Sequence, residues 1–272
     1  MTKDEQWLLD EKYDGKKTEA YEADKKRLAK GEPLAYVIGS QPFLGLTIHL
    51  DDRSLIPRPE TEWWTEQLLE SVRTQKFPDV SQHDGARHSK FLARNYACPE
   101  ISAPARITFL DLCAGSGAIG CAALARLLNA RIYFGELDAT LEATIRKNIR
   151  ENNLDESRAD VRIGDLFEPF AGIQFDVIAA NPPYVPVGRT LPPSVADYEP
   201  TLALYAGEDG LAIIRRIAEE LPRRLAPGGV AWIECDSAHA AAACALFKAL
   251  GFSALIRTDQ YNKPRLLVVS FP

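Results

Sequence analysis

From residue 106 onward, short apolar runs alternate with longer stretches in which apolar residues recur every three or four positions. The runs at 106–112, 131–136, 159–163, 174–180 and 230–234 are five to seven residues long, rich in Ile, Val, Phe and Ala, and read as buried strands. The stretches at 116–128, 139–151, 210–225 and 238–250 carry helical periodicity, and the last stops at Gly251, a residue type suited to a helix end. Two more strands are predicted near 253–257 and 265–271. Strands alternating with helices imply a mostly parallel, doubly wound sheet covered by helices on both faces.

The first hundred residues differ. Residues 4–30 are polar and helical, with Trp7, Leu8, Tyr13, Tyr21 and Leu28 as sparse apolar positions, too few to hold a core alone. Residues 43–56 alternate apolar and polar residues around Asp51-Asp52, the pattern of a β-hairpin. Pro57-Arg58-Pro59-Glu60 interrupts it, and a helix is predicted from Thr61 to about Val72. Residues 74–105 mix Pro, Gly, Ser and His without periodicity, the mark of a long insertion or mobile linker. The chain therefore divides into a helical segment (1–42), a hairpin with linker helix (43–73), the insertion (74–105) and a sheet domain (106–272).

The candidate chemistry lies at the strand ends, where doubly wound sheets bind ligands. The first strand runs into Cys113-Ala114-Gly115-Ser116-Gly117, whose glycines permit close approach of a ligand to the backbone. The second ends at Glu136, placed about 20 residues on, where an acid accepts hydrogen bonds from ribose hydroxyls. After the third come Asp165 and Leu166, an acid and an apolar residue able to flank an adenine. The fourth ends in Asn181-Pro182-Pro183-Tyr184. Two prolines cannot continue a central strand, so the chain turns out and leaves an amide, a carbonyl pair and a ring. That set suits a planar, hydrogen-bonding group such as an amide or a nucleobase amine. Each signal taken singly has a plain reading as a turn or a surface acid; their order along four successive strands is the specific part.

Composition narrows the partners. A net charge of −6 argues against a broad nucleic-acid surface. No apolar run approaches the ~18 residues of a membrane span, and the charged N-terminus carries no signal-peptide core, so a cytoplasmic protein is expected. Five scattered cysteines and four histidines show no metal-ligand spacing, and no metal is expected.

These strand ends resemble those of class I S-adenosylmethionine-dependent methyltransferases. LAKGEPLAYVIGSQPFLGLTIHLDDRSLIPRPETE, FDVIAANPPYV and DYEPTLALYAGEDGLAIIRRI are similar to the peptide chain release factor glutamine methyltransferase family over roughly residues 28–72 and 106–272. The resemblance implies a seven-stranded Rossmann-like sheet and S-adenosylmethionine as cofactor. By the same resemblance Cys113, Ala114, Gly115, Ser116 and Gly117 wrap the methionine and ribose end, Glu136 holds the ribose, and Leu166 lies by the adenine. Asn181, also near the methyl donor, then binds the substrate glutamine amide with Pro182, Pro183 and Tyr184, and Asn181, Pro182 and Tyr184 carry catalysis. The implied substrate is the Gly-Gly-Gln loop of a release factor, met by a monomer. A ribosomal-protein glutamine, or the exocyclic amine of adenine in DNA or RNA, fits the same motif. A non-catalytic scaffold on this fold would have no need of the cofactor cradle. The helical segment before the shared region is shorter than the family's, and Glu234-Cys235-Asp236 departs from its glycine-bearing pattern.

Overall fold

Strands β3 (Ile107–Leu112), β4 (Ala130–Glu136), β5 (Ala159–Ile163), β6 (Phe175–Ala180) and β7 (Leu225–Glu234) form the parallel part of a seven-stranded sheet in a computed structural model that describes residues 1–74 and 107–272. Two strands, β8 (Ser253–Thr258) and β9 (Pro264–Ser270), complete it in the order β5-β4-β3-β6-β7-β9-β8, with β9 antiparallel to both neighbours. The order reverses between β3 and β6, so the crevice for a ligand opens beyond the carboxyl ends of those two strands. The expected insertion at 74–105 falls almost wholly outside the described residues.

Side chains of each strand alternate between two cores, which is why the runs are apolar throughout rather than at every second residue. Phe109, Ile132, Phe134, Val177, Ala179 and Trp232 face α4 (Pro59–Thr74), α5 (Ala118–Arg126) and α6 (Leu141–Glu151). Leu110, Leu112, Ile178, Ala180, Ala231 and Ile233 face α8 (Ala212–Arg224) and α9 (Ala240–Ala249), α7 (Pro193–Ala196) being a single turn in the preceding loop.

The helix α5 is fastened at both ends by side chains from elsewhere. Gly117 precedes it without a side-chain cap, and the free N–H of Gly120 is instead taken by Asp111 of β3 at 2.8 Å. The buried guanidinium of Arg158 donates to the carbonyls of Leu124, Leu127 and Ala130 at 2.7, 2.9 and 3.2 Å. Gly120 also lies against Phe134, whose ring would come within 2.2 Å of an added Cβ. Gly120→Ala is therefore expected to lower the unfolding free energy by about 1–3 kcal/mol through overpacking, despite alanine's better helix propensity. A urea titration reads this as a lower midpoint at unchanged slope.

The N-terminal segment is three helices, α1 (Lys3–Tyr13), α2 (Glu19–Ala29) and α3 (Leu34–Ile38), rather than one continuous helical stretch. Asp14 and Gly15, both left-handed, end α1. Leu8, Leu9, Tyr21 and Val37 form the small core between them. The hairpin β1 (Ser40–Phe43) and β2 (Leu46–His49) turns at Leu44-Gly45, earlier than the expected turn at Asp51-Asp52. Both turn residues have positive φ, as a two-residue hairpin loop demands, and Asp51–Arg53 forms a separate helical turn. Asn148 of α6 and Asn152, which caps its C-terminus, pair with the backbone of His49 and Thr47 through four hydrogen bonds of 2.7–3.0 Å. Asn148 also donates to the Ser116 carbonyl at 2.8 Å, which joins the hairpin to the glycine turn.

Candidate active site

The carboxyl ends of β3, β4, β5 and β6 share one open cavity of ≈ 220 Å³. Of the residues singled out in the sequence, Cys113, Ala114, Gly115, Ser116, Glu136, Leu166, Asn181 and Pro183 line it. Gly117, Pro182 and Tyr184 are not among the lining residues: Pro182 is buried as a residue, and the Tyr184 hydroxyl pairs with Glu234 at 3.1 Å. Leu55 and Pro57, from the segment joining the hairpin to α4, and Thr61, in the first turn of α4, close one side.

Backbone geometry at the glycine turn is set from two directions. Cys113, Gly115 and Gly117 all have positive φ, at 61°, 56° and 78°. No atom lies within 4 Å of a Cβ built on Gly115, so this turn leaves open space beside its own backbone. Below it, fully buried Asp111 is held well above the usual carboxylate range by burial, with the charge of Glu136 adding to the effect and the Gly120 N–H opposing it. Burial likewise pushes the Cys113 thiol up, with Glu136, Asp111 and Asp165 adding to the effect. A neutral thiol in that setting is no nucleophile.

Glu136 accepts three backbone N–H groups: Gly115 on Oε2 at 2.7 Å, and Leu137 and Asp138 on Oε1 at 2.9 Å each. These bonds favour the carboxylate, yet burial outweighs them and its pKa is raised. Asp165 pairs with Arg216 of α8 at 2.7 Å, and both line the cavity beside Leu166, itself left-handed at φ 48°.

At the end of β6, the Asn181 amide nitrogen donates to Thr61 Oγ1 at 3.2 Å. Thr61 Oγ1 in turn donates to Glu234 Oε2 at 2.7 Å, and Trp64 Nε1 donates to the same oxygen at 2.7 Å. Glu234 is buried, and burial raises its pKa against the opposing effect of Trp64, Thr61, Tyr184 and the nearby Arg265. Neither Thr61 nor Glu234 was among the sequence candidates. The available signal was a lone carboxylate ending the apolar strand Val230-Ala231-Trp232-Ile233.

The chain is 34% identical over 229 residues to a release factor glutamine methyltransferase of Caulobacter vibrioides, covering 83% of this chain and 68% of that protein. The chain belongs to the release factor glutamine methyltransferase family. It is also 32% identical over 228 residues, 84% of this chain and 68% of the other, to a 4-amino-L-phenylalanine/4-methylamino-L-phenylalanine methyltransferase of Streptomyces pristinaespiralis. A family model described as "Conserved hypothetical protein 95" matches residues 94–200. A methyltransferase structure from Pyrococcus furiosus superposes with a TM-score of 0.53 at 17% identity, covering 92% of this chain and 98% of that one, which shows the shared fold. In this family member, therefore, the seven-stranded sheet read from the sequence is the architecture observed. Among the described residues no helix is long and apolar enough to cross a membrane.

Proposed function

We propose that this family member transfers a methyl group from S-adenosylmethionine to the side-chain amide nitrogen of a protein glutamine, in the Gly-Gly-Gln loop of a release factor. The observation that carries the reading is the meeting of the glycine turn, Glu136 and Asn181 on one cavity. Its residues fit the cofactor. The open backbone at Gly115 admits a ligand close to the chain, Glu136 offers a buried acceptor for ribose hydroxyls, and Leu166 gives an apolar flank for adenine. Bound there, S-adenosylmethionine supplies an electrophilic methyl group.

The chain's own residues supply orientation. An amide nitrogen is a weak nucleophile because its lone pair is delocalised into the carbonyl. Asn181 Oδ1, with its NH₂ engaged by Thr61, is the acceptor for a substrate N–H. With the Pro182 carbonyl as a second acceptor, electron density gathers on nitrogen and its lone pair is aimed. Tyr184, tied by its hydroxyl to Glu234, holds the Pro-Pro turn rather than offering that hydroxyl to substrate. No strong base is required, since the proton leaves after the methyl arrives. Cytoplasmic action as a monomer belongs to the same proposal.

Because the pKa of Glu136 is raised by burial, S-adenosylmethionine affinity is expected to weaken as pH falls through that raised value. The sign follows from the ligand: hydroxyls donate to a carboxylate, and protonation removes acceptor capacity. Calorimetric titrations across acidic pH read the effect, and Glu136→Gln should bind more weakly with no such dependence.

The Streptomyces relative favours one second reading, methylation of a small aromatic amine. Labelled methyl donor incubated separately with release factor, ribosomal protein, duplex DNA and 4-amino-L-phenylalanine decides between them. Label on the release factor glutamine supports the proposal; label on DNA or the arylamine alone refutes it.

A further inference from the structure

We infer that Glu234, Thr61 and Trp64 form a hydrogen-bond relay that sets which way the Asn181 amide faces, making Thr61 and Glu234 positioning residues for methyl transfer. The inference rests on the methyltransferase reading of the cavity and adds the device that gives Asn181 its acceptor role. The relay joins three separated parts of the chain: the first turn of α4, the end of β6 and the end of β7. Thr61, Trp64 and Glu234 are 3%, 1% and 1% exposed, so water does not substitute for any of these three.

The direction of each bond follows from what each group can donate. An indole N–H only donates, so the oxygen that Trp64 faces, Glu234 Oε2, is always an acceptor. Thr61 has one hydroxyl proton and gives it to that oxygen at 2.7 Å. The Thr61 oxygen is then left only with lone pairs, and the Asn181 group 3.2 Å away must be the NH₂. A flipped amide would set two acceptor oxygens against each other 3.2 Å apart. Asn181 Oδ1 is thereby assigned to the cavity side, where an acceptor is needed.

The arrangement does not depend on the charge of Glu234. Tyr184 holds Oε1 at 3.1 Å, and its hydroxyl can either donate or accept. A proton on Oε1, with Tyr184 then accepting it, leaves Oε2 free to accept from Trp64 and Thr61. The other charged groups around this carboxylate are Arg265 of β9 and, on Tyr184, Arg58 ahead of α4; both leave Oε2 an acceptor. A glutamine at 234 keeps the same polarity, because Trp64 admits only its oxygen.

The test is a set of variants in the full chain. Thr61→Val keeps the shape and removes the hydroxyl; Glu234→Met removes the acceptor. Each is expected to lower kcat by roughly tenfold to a hundredfold through misorientation, with S-adenosylmethionine Kd and acceptor KM within about threefold. Thr61→Ser and Glu234→Gln should restore kcat to within about threefold of the starting protein. In an Asn181→Ala background Thr61→Val should have no further effect, since the relay acts through Asn181. Equal loss in both backgrounds, or kcat unmoved by Thr61→Val, would overturn the relay while leaving the methyltransferase reading in place. A readout free of turnover accompanies it: the Asn181 side-chain NH₂ resonances, identified by their loss in Asn181→Ala. They should shift in Thr61→Val and Glu234→Met and stay in Glu234→Gln. If they do not shift, the relay is refuted whatever acceptor the enzyme uses; if they shift while no acceptor is methylated, the function is refuted and the relay stands.

Discussion

Replacing Asn181 with alanine lowers methyl transfer by roughly a hundredfold or more while S-adenosylmethionine affinity stays within severalfold. The size follows from the loss of one hydrogen-bond acceptor that matters most as charge redistributes at the reacting nitrogen. The Asn181 side chain touches Thr61 and the cavity, whereas the glycine turn and Glu136 lie on other strands and keep their own hydrogen bonds. Single-turnover transfer of labelled methyl, with calorimetry for the cofactor, separates the two effects. Near-normal turnover would remove Asn181 from the mechanism. Cofactor affinity falling in step with the rate would make the residue part of the cofactor site instead.

Glu136→Ala has the second-largest expected effect, and on the other observable. Loss of a charge-assisted acceptor for the ribose is worth about 1.5–3 kcal/mol, roughly a tenfold to hundredfold rise in the S-adenosylmethionine Kd. A carboxylate offers about four lone-pair sites, and the N–H groups of Gly115, Leu137 and Asp138 take three of them. Seating two ribose hydroxyls therefore requires one backbone bond to yield, and alanine removes both the ligand's partner and the brace of the turn. Thermal melts of the unliganded protein distinguish the contributions. An unchanged Tm with a raised Kd assigns Glu136 to the ligand, and a lowered Tm adds the brace. A Kd unchanged by the substitution would exclude Glu136 from the cofactor site.

Much of the sheet was legible because each buried strand is a short apolar run and each helix a periodic one. The predicted strand at 159–163 coincides with β5, and the start of helix α5 shifted only because the glycine turn extends through Gly117. The hairpin was misplaced by its turn. Leu44-Gly45 lacks the Asn or Asp that marks such loops, while Asp51-Asp52 carries it and forms a separate turn. The break between α1 and α2 was signalled by Asp14-Gly15 but outweighed by polar helix formers on either side.

By itself, the sequence determined the order of strands and helices, and with it four chemically marked strand ends. Those are local properties, written in the residues that end each strand. Only the tertiary structure decided how Asn181 is held. Thr61 and Glu234 are 173 positions apart and meet because α4 packs across the ends of β6 and β7. No periodicity or spacing records such a contact. The hydrogen-bond direction it imposes on the amide exists only once three segments are folded against one another.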